Sequence, residues 1–150
     1  MIKKPILSDI KGIQNLLSPF IKDGIILKRD DDEIATNIRS YIILTDNNKI
    51  IGVGALHIYS TKLAEIRSLA VDENYQKKGI GKKIVLGLEE EAKILGIKQL
   101  LTLTYQKEFF LKLGFIEIPK IEVPEQKVWS DCIKCQHFPN CNEISLIKYI

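Results

Sequence analysis

Gln76-Lys77-Lys78-Gly79-Ile80-Gly81-Lys82 stands between an extended run, Leu63 to Val71, and an amphipathic stretch in which Ile80, Ile84, Leu88, Ala92 and Leu95 share one face. That spacing predicts a helix opening at Ile80 and stopping at Gly96, a residue suited to a left-handed C-cap. A strand-to-helix turn of this kind points successive backbone N–H groups outward, where the helix dipole favours an anion. Gly79 and Gly81 admit a phosphate close to the backbone, and Lys77, Lys78, Lys82 and Lys83 surround it with positive charge. Two better-known phosphate loops are excluded. The Gly-Lys-hydroxyl type needs a glycine where Gln76 stands and a Ser or Thr where Lys83 stands, and the dinucleotide fingerprint needs a third glycine at Ile84. Without further context, an ordinary glycine turn with solvated lysines explains the stretch equally well.

Upstream of the loop, Ser8 is placed to cap a helix with the stripe Ile10, Ile13, Leu16, Leu17, Phe20, which Asp23-Gly24 ends. The acidic run Asp30 to Glu33 suits the first turn of a second short helix. Tyr41 to Leu44 and Ile50 to Tyr59 read as a hairpin around Asp46-Asn47-Asn48. Downstream, Leu100 to Leu103 is a strand, Tyr105 to Leu113 a helix closed by Gly114, Phe115 to Ile118 a strand, and Glu143 to Ile150 the last strand. The order β-α-α-β-β-β-α-β-α-β-β implies one mixed α/β domain over residues 1–150.

Composition bounds the function. The chain has 150 residues, 45% hydrophobic and 27% charged, the balance of a single globular domain. No apolar run reaches the roughly 18 residues of a membrane span, and the N-terminus lacks the hydrophobic region of a secretory signal. A net charge of +3 suits a small anionic ligand and is too mild to argue for nucleic acid. The expectation is a cytoplasmic protein without membrane or nucleic-acid partners, with a homodimer compatible.

Leu69-Ala70-Val71, a short acidic turn, and then Gln-x-x-Gly-x-Gly opening a helix resemble the acetyl-coenzyme A signature of the GNAT acetyltransferase superfamily. Leu111-Lys112-Leu113-Gly114-Phe115 resembles its second landmark, at a fitting distance. The resemblance implies the GNAT fold, a central mostly antiparallel sheet flanked by helices, with acetyl-CoA as co-substrate. It implies that the backbone of Leu69, Ala70 and Val71 pairs with the pantetheine arm. It also implies that Gln76, Lys77, Lys78, Gly79, Ile80, Gly81 and Lys82 hold the pyrophosphate, with Phe110 beside the cofactor.

A narrower resemblance rests on Gly24 to Arg29, Gly54-Ala55-Leu56, Glu65, Leu103-Thr104 and Phe109-Phe110. These look like the acetyltransferase domain of N-acetylglutamate synthase, which implies transfer of the acetyl group to the α-amine of L-glutamate, the first step of arginine biosynthesis. Two carboxylates need fixed cations in fork geometry, so Arg29 is the first candidate, with Lys28 beside it. Arg67 shares a strand face with Glu65 by period-two alternation and is placed for the second carboxylate; Thr104 is a further candidate contact. Many synthases carry Arg just after the Leu-Thr pair, where this chain has Tyr105-Gln106. Nothing precedes Met1, so the expected form is the short, free-standing one without an arginine-sensing domain.

Glutamate's amine is mostly protonated at neutral pH and must lose a proton before attack. Glu65 is the candidate base, although a strand carboxylate paired with Arg67 is an equal reading. Many superfamily members protonate the departing thiolate with a Tyr at the position of Phe110; Tyr105 is the substitute available here. Direct transfer is expected, without an acetyl-enzyme. Another small amine, a protein N-terminus, or a non-catalytic acetyl-CoA sensor remain open alternatives.

The cysteines, Cys132, Cys135 and Cys141, flank His137 near the C-terminus, in the loop 129–142. Three thiols and an imidazole suffice for tetrahedral zinc, but the spacing is tighter than paired zinc knuckles use. Reduced cysteines packed around Trp129 and Phe138 are the favoured reading, with zinc not required.

Overall fold

The computed structural model describes residues 2–123 and 143–150. Along them run β1 (Ile2–Lys3), α1 (Ile10–Lys22), α2 (Asp31–Thr36), β2 (Tyr41–Asp46), β3 (Lys49–Ile58) and β4 (Leu63–Val71). Then follow α3 (Ile80–Leu95), β5 (Gln99–Thr104), α4 (Lys107–Lys112), β6 (Ile116–Ile118) and β7 (Ile144–Tyr149). The strands form one seven-stranded sheet in the order β1-β2-β3-β4-β5-β7-β6. The pairings are antiparallel except that of β4 with β5, which is parallel because α3 carries the chain across the sheet. β7 enters between β5 and β6, a long-range insertion that local patterning does not reveal.

Each face of the sheet has its own apolar layer. The α3 stripe Ile80, Ile84, Leu88 and Ala92 packs on Ile42, Leu44, Leu56 and Ile66. On the other face Ile10, Ile13, Leu16 and Leu17 of α1 pack on Ile43, Val53, Ala55 and Ala70. Period 3.6 in the helices and period 2 in the strands produce this division. α3 lies so close to β3 that a Cβ on Gly54 would stand 2.7 Å from Ile84 Cγ2.

Two local expectations change. Ser8 does not cap α1: it sits inside a 3-10 turn, Leu7–Asp9, where the Asp9 carboxylate accepts from the Ile6 N–H at 2.8 Å. Asp9 is a stronger acceptor, and the turn moves the helix start to Ile10. The expected helix from Tyr105 is shorter, Lys107–Lys112, because the Thr104 hydroxyl accepts from the Gln106 N–H at 2.9 Å and holds an open turn first.

β4 itself is irregular. Val53 pairs with Ala70 and Ala55 with Arg67, leaving Gly54 alone opposite Ser68 and Leu69. This is a β-bulge, with Ser68 at φ +55°. It reverses the alternation: Ala64 and Ile66 belong to the α3 layer, whereas beyond Ser68 it is Leu69 and Val71 that pack there. The ladder between β4 and β5 covers Leu63–Glu65 and Gln99–Leu101. Past it the strands separate, bridged by the Thr102 hydroxyl donating to the Ile66 carbonyl at 3.1 Å.

Candidate active site

The opening between β4 and β5 is a cleft of about 830 Å³. One wall is Glu65 to Val71 with Gln76, Lys77 and the α3 entry from Gly79 to Lys82. The other is Thr102 to Gln106 with Phe109, and Gly24 to Arg29 closes one end. The size and mixed lining suit a ligand larger than a single amino acid.

The donor end is built by the helix entry. Gly79 is the N-cap of α3 at φ +80°, and no side chain caps the helix. The first intrahelical bond leaving this residue is Lys83 N–H to the Gly79 carbonyl at 3.1 Å. The N–H groups of Ile80, Gly81 and Lys82 therefore precede the ladder, as an anion socket requires. A Cβ on Gly79 meets nothing within 4 Å, so the backbone there is open to a ligand. Gln76 lines the cleft, and its side-chain amide donates to the Val71 carbonyl at 3.1 Å and ties the loop to the strand end. Asp72 accepts from the Asn74 N–H at 2.9 Å and pairs with Lys49 at 3.3 Å, and these contacts hold its carboxyl below the ordinary range. Tyr75 anchors the loop from below by donating to Asp46 Oδ2 at 2.9 Å.

Among the lysines, Lys77 and Lys82 line the cleft. Lys78 departs from expectation: its ammonium lies over the Tyr75 ring, 5.3 Å from the centroid, and lines a separate groove with Lys83. Ile80 is 8% exposed and mainly core, as is Phe110 at 2%. Phe110 stands edge-on to Phe109 and Phe115 at 5.0 and 5.2 Å, so position 110 is a packing residue at the cleft floor. Leu69, Ala70 and Val71 present the strand edge to the cleft.

Elsewhere in the cleft stand two charged residues that the sequence singles out, and the structure shows both to be buried. Arg29 is 6% exposed, with Nη1 2.7 Å from Glu33 Oε2, and Glu65 is 1% exposed. Gln14 fixes the backbone of Arg29 by donating to its carbonyl at 2.8 Å. Arg67 and Glu65 both line the cleft, from the same face of β4 ahead of the bulge. Lys28 lines it too, with an exposed side chain. Thr104 and the 39%-exposed Tyr105 stand on the opposite wall.

Sequence reading missed two tyrosines. Tyr41, 2% exposed, lies close to both guanidiniums. Burial pushes its phenol above the ordinary value, while Arg29, Arg67 and a hydrogen bond with the Ser68 side chain pull it partly back. The Tyr59 hydroxyl donates to Glu65 Oε1 at 2.6 Å. Neither had a local signal, since both reach their partners across strands. Among the described residues no group of three or more His, Cys, Asp or Glu is placed to hold a metal ion. Cys132, Cys135, His137 and Cys141 lie outside the described residues. No described helix is long and apolar enough to cross a membrane.

Comparison with known proteins bears on this geometry. The acetyltransferase (GNAT) family matches residues 11–115. An uncharacterized N-acetyltransferase of Chlorobaculum tepidum is 37% identical over 142 residues, 95% of this chain and 91% of that one. An amino-acid acetyltransferase of Aeromonas salmonicida is 30% identical over 128 residues, 83% of this chain, which spans 29% of that longer protein. Among solved structures, N-acetylglutamate synthase of Neisseria gonorrhoeae complexed with coenzyme A and N-acetyl-glutamate superposes with TM-score 0.90 at 25% identity, over 99% of this chain and 34% of that one. A Mycobacterium tuberculosis protein in complex with CoA superposes with TM-score 0.87 at 24% identity, over 100% and 99% of the two chains, a likeness of fold. The chain belongs to the GNAT family of acetyltransferases.

Proposed function

We propose that the protein transfers the acetyl group of acetyl-CoA to the α-amine of L-glutamate by direct attack. The observation that carries this reading is the pairing of Arg29 and Arg67 in one cleft with the buried carboxylate of Glu65. Two guanidiniums fit two carboxylates, and a carboxylate base fits the ammonium between them. The amino-acid acetyltransferases and the synthase structure among the relatives support the same class of acceptor.

Acetyl-CoA occupies the arm of the cleft between β4 and β5, its pyrophosphate on the N–H groups of Ile80 to Lys82 and its pantetheine along Leu69 to Val71. Glu65 takes one proton from the ammonium, the neutral nitrogen attacks the thioester carbonyl, and the C–S bond breaks as the adduct collapses. The nitrogen's second proton goes to the departing sulfur or to solvent, leaving the amide and coenzyme A. Tyr105, which lines the cleft, is the substitute for the acid that Phe110 cannot supply; a thiol of pKa about 8.5 also departs without full protonation. The proposed reaction belongs to arginine biosynthesis in the cytoplasm, and a homodimer is compatible with it.

Mass spectrometry of a reaction containing acetyl-CoA and L-glutamate tests the proposal. N-α-acetylglutamate should accumulate in step with free coenzyme A. Coenzyme A release without acetylated glutamate would defeat it.

A further inference from the structure

Glu65 is the most completely buried carboxylate among the described residues, 1% exposed in the wall of the cleft. Removing a carboxylate from water is costly unless hydrogen bonds replace the lost hydration. The Tyr59 hydroxyl supplies one of them at 2.6 Å on Oε1, at the short end for a donor to a charged oxygen. Tyr59 is not part of the cleft wall, whereas Glu65 is. The carboxylate thus has one oxygen fixed from behind while its side chain borders the cavity beside Arg67.

Tyr59 is itself held. Its N–H and that of Ser60 donate to the Leu63 carbonyl at 2.9 and 3.2 Å, and the Ser60 hydroxyl accepts from the N–H groups of Lys62 and Leu63. His57, directly opposite Glu65 in the β3–β4 ladder, stands edge-on to the Tyr59 ring with centroids 4.9 Å apart. The turn geometry and the ring contact place the hydroxyl; the hydroxyl is not needed to make the turn.

We propose that Tyr59 is a positioning residue for Glu65, fixing Oε1 so that the carboxylate meets the acceptor amine in one orientation. The inference rests on Glu65 being the base of the proposed reaction. A loosely held base loses the alignment that proton transfer needs, which lowers turnover without weakening substrate binding.

The test is a double-mutant cycle on the full chain with Tyr59→Phe, Glu65→Gln and both together, using L-glutamate or the amino acid that an acceptor panel ranks first. Tyr59→Phe keeps the ring and its packing. It should lower kcat about ten-fold, the scale of one hydrogen bond to a charged group, with both KM values unchanged. In the Glu65→Gln background the same change should cost nothing further. A wild-type kcat in Tyr59→Phe, with Glu65→Gln impaired, overturns the positioning role alone. An undiminished loss on adding Tyr59→Phe to Glu65→Gln also overturns it, since the effect would then not pass through Glu65. A wild-type rate in Glu65→Gln removes the base reading, and the positioning role with it. Calorimetric acetyl-CoA affinity equal to wild type shows that each variant is folded at the donor site.

Discussion

Nη1 of Arg29 lies 2.7 Å from Oε2 of Glu33, one helical turn along the chain. The guanidinium side chain is 6% exposed and its partner 37%, so the carboxylate braces the cation from the solvent side. Gln14 ties the same region to α1 through the Arg29 carbonyl and Asp31. A cation held this firmly is preorganised, which limits the ordering cost of binding a charged ligand.

Arg29→Lys should therefore raise KM for glutamate and leave that for acetyl-CoA nearly unchanged. A lysine cannot reproduce the fork, and one lost charged hydrogen bond is about 1.5–3 kcal/mol, or on the order of ten- to a hundred-fold in kcat/KM. Steady-state kinetics with each substrate varied in turn check it. Equal loss toward both substrates would point to a general structural defect instead.

Gly81 tests the donor site. A Cβ there would stand 3.3 Å from Phe109 Cζ and 3.8 Å from Val71 Cγ2, in the lining of the cleft at the proposed diphosphate position. Gly81→Val should weaken coenzyme A binding by at least about ten-fold through lost backbone approach. Titration calorimetry giving wild-type affinity would remove the pyrophosphate from this loop.

The donor loop was legible in the sequence because its signals are local: glycines, a strand before, a stripe after, and Gly96 at φ +88° closing the helix. Leu63 to Val71 was readable as a strand, and Glu65 and Arg67 as sharing a face, because alternation holds up to the bulge. The bulge itself was not readable. Ser68 adopts a positive φ that sequence rules reserve mainly for glycine and asparagine, and its cause is the non-local β3–β4 register, which sets Ser68 and Leu69 against Gly54 alone. Tyr41 and Tyr59 escaped for a similar reason: their hydroxyls act on neighbours that only the folded sheet brings together. The position of the Lys78 ammonium over the Tyr75 ring was not readable either, because that contact depends on the fold of the loop.

Glu89 of α3 and Lys148 of β7 form an ion pair at 2.6 Å, with side chains 10% and 23% exposed. Glu89→Ala strands a partly buried ammonium and should destabilise the protein by about 2 kcal/mol, with kcat unchanged. Urea denaturation measures the first and a turnover assay the second. A loss under about 0.5 kcal/mol would show the pair to be no better than a surface contact.

Asp72 gives a pH signature. The Asn74 N–H, and then Lys49, lower its pKa in the folded chain below that of the unfolded one. Its stabilising contribution is thus full above the ordinary carboxylate value and is lost as pH falls through the lowered one. The stability gap between wild type and Asp72→Ala should be largest near about pH 7 and narrow toward about pH 3. A gap constant over that interval would assign its role to packing alone.

Competition among acceptor amines reads the choice of substrate without intermediary. Free-thiol release from acetyl-CoA should be followed with L-glutamate, L-glutamine, other amino acids, spermidine and a peptide amine. With Arg29 and Arg67 both lining the cleft, L-glutamate should give the highest kcat/KM. It should exceed L-glutamine by at least about ten-fold, because an amide gives up a charge-assisted bond. Ready acetylation of spermidine or the peptide, with glutamate at background, would contradict the account.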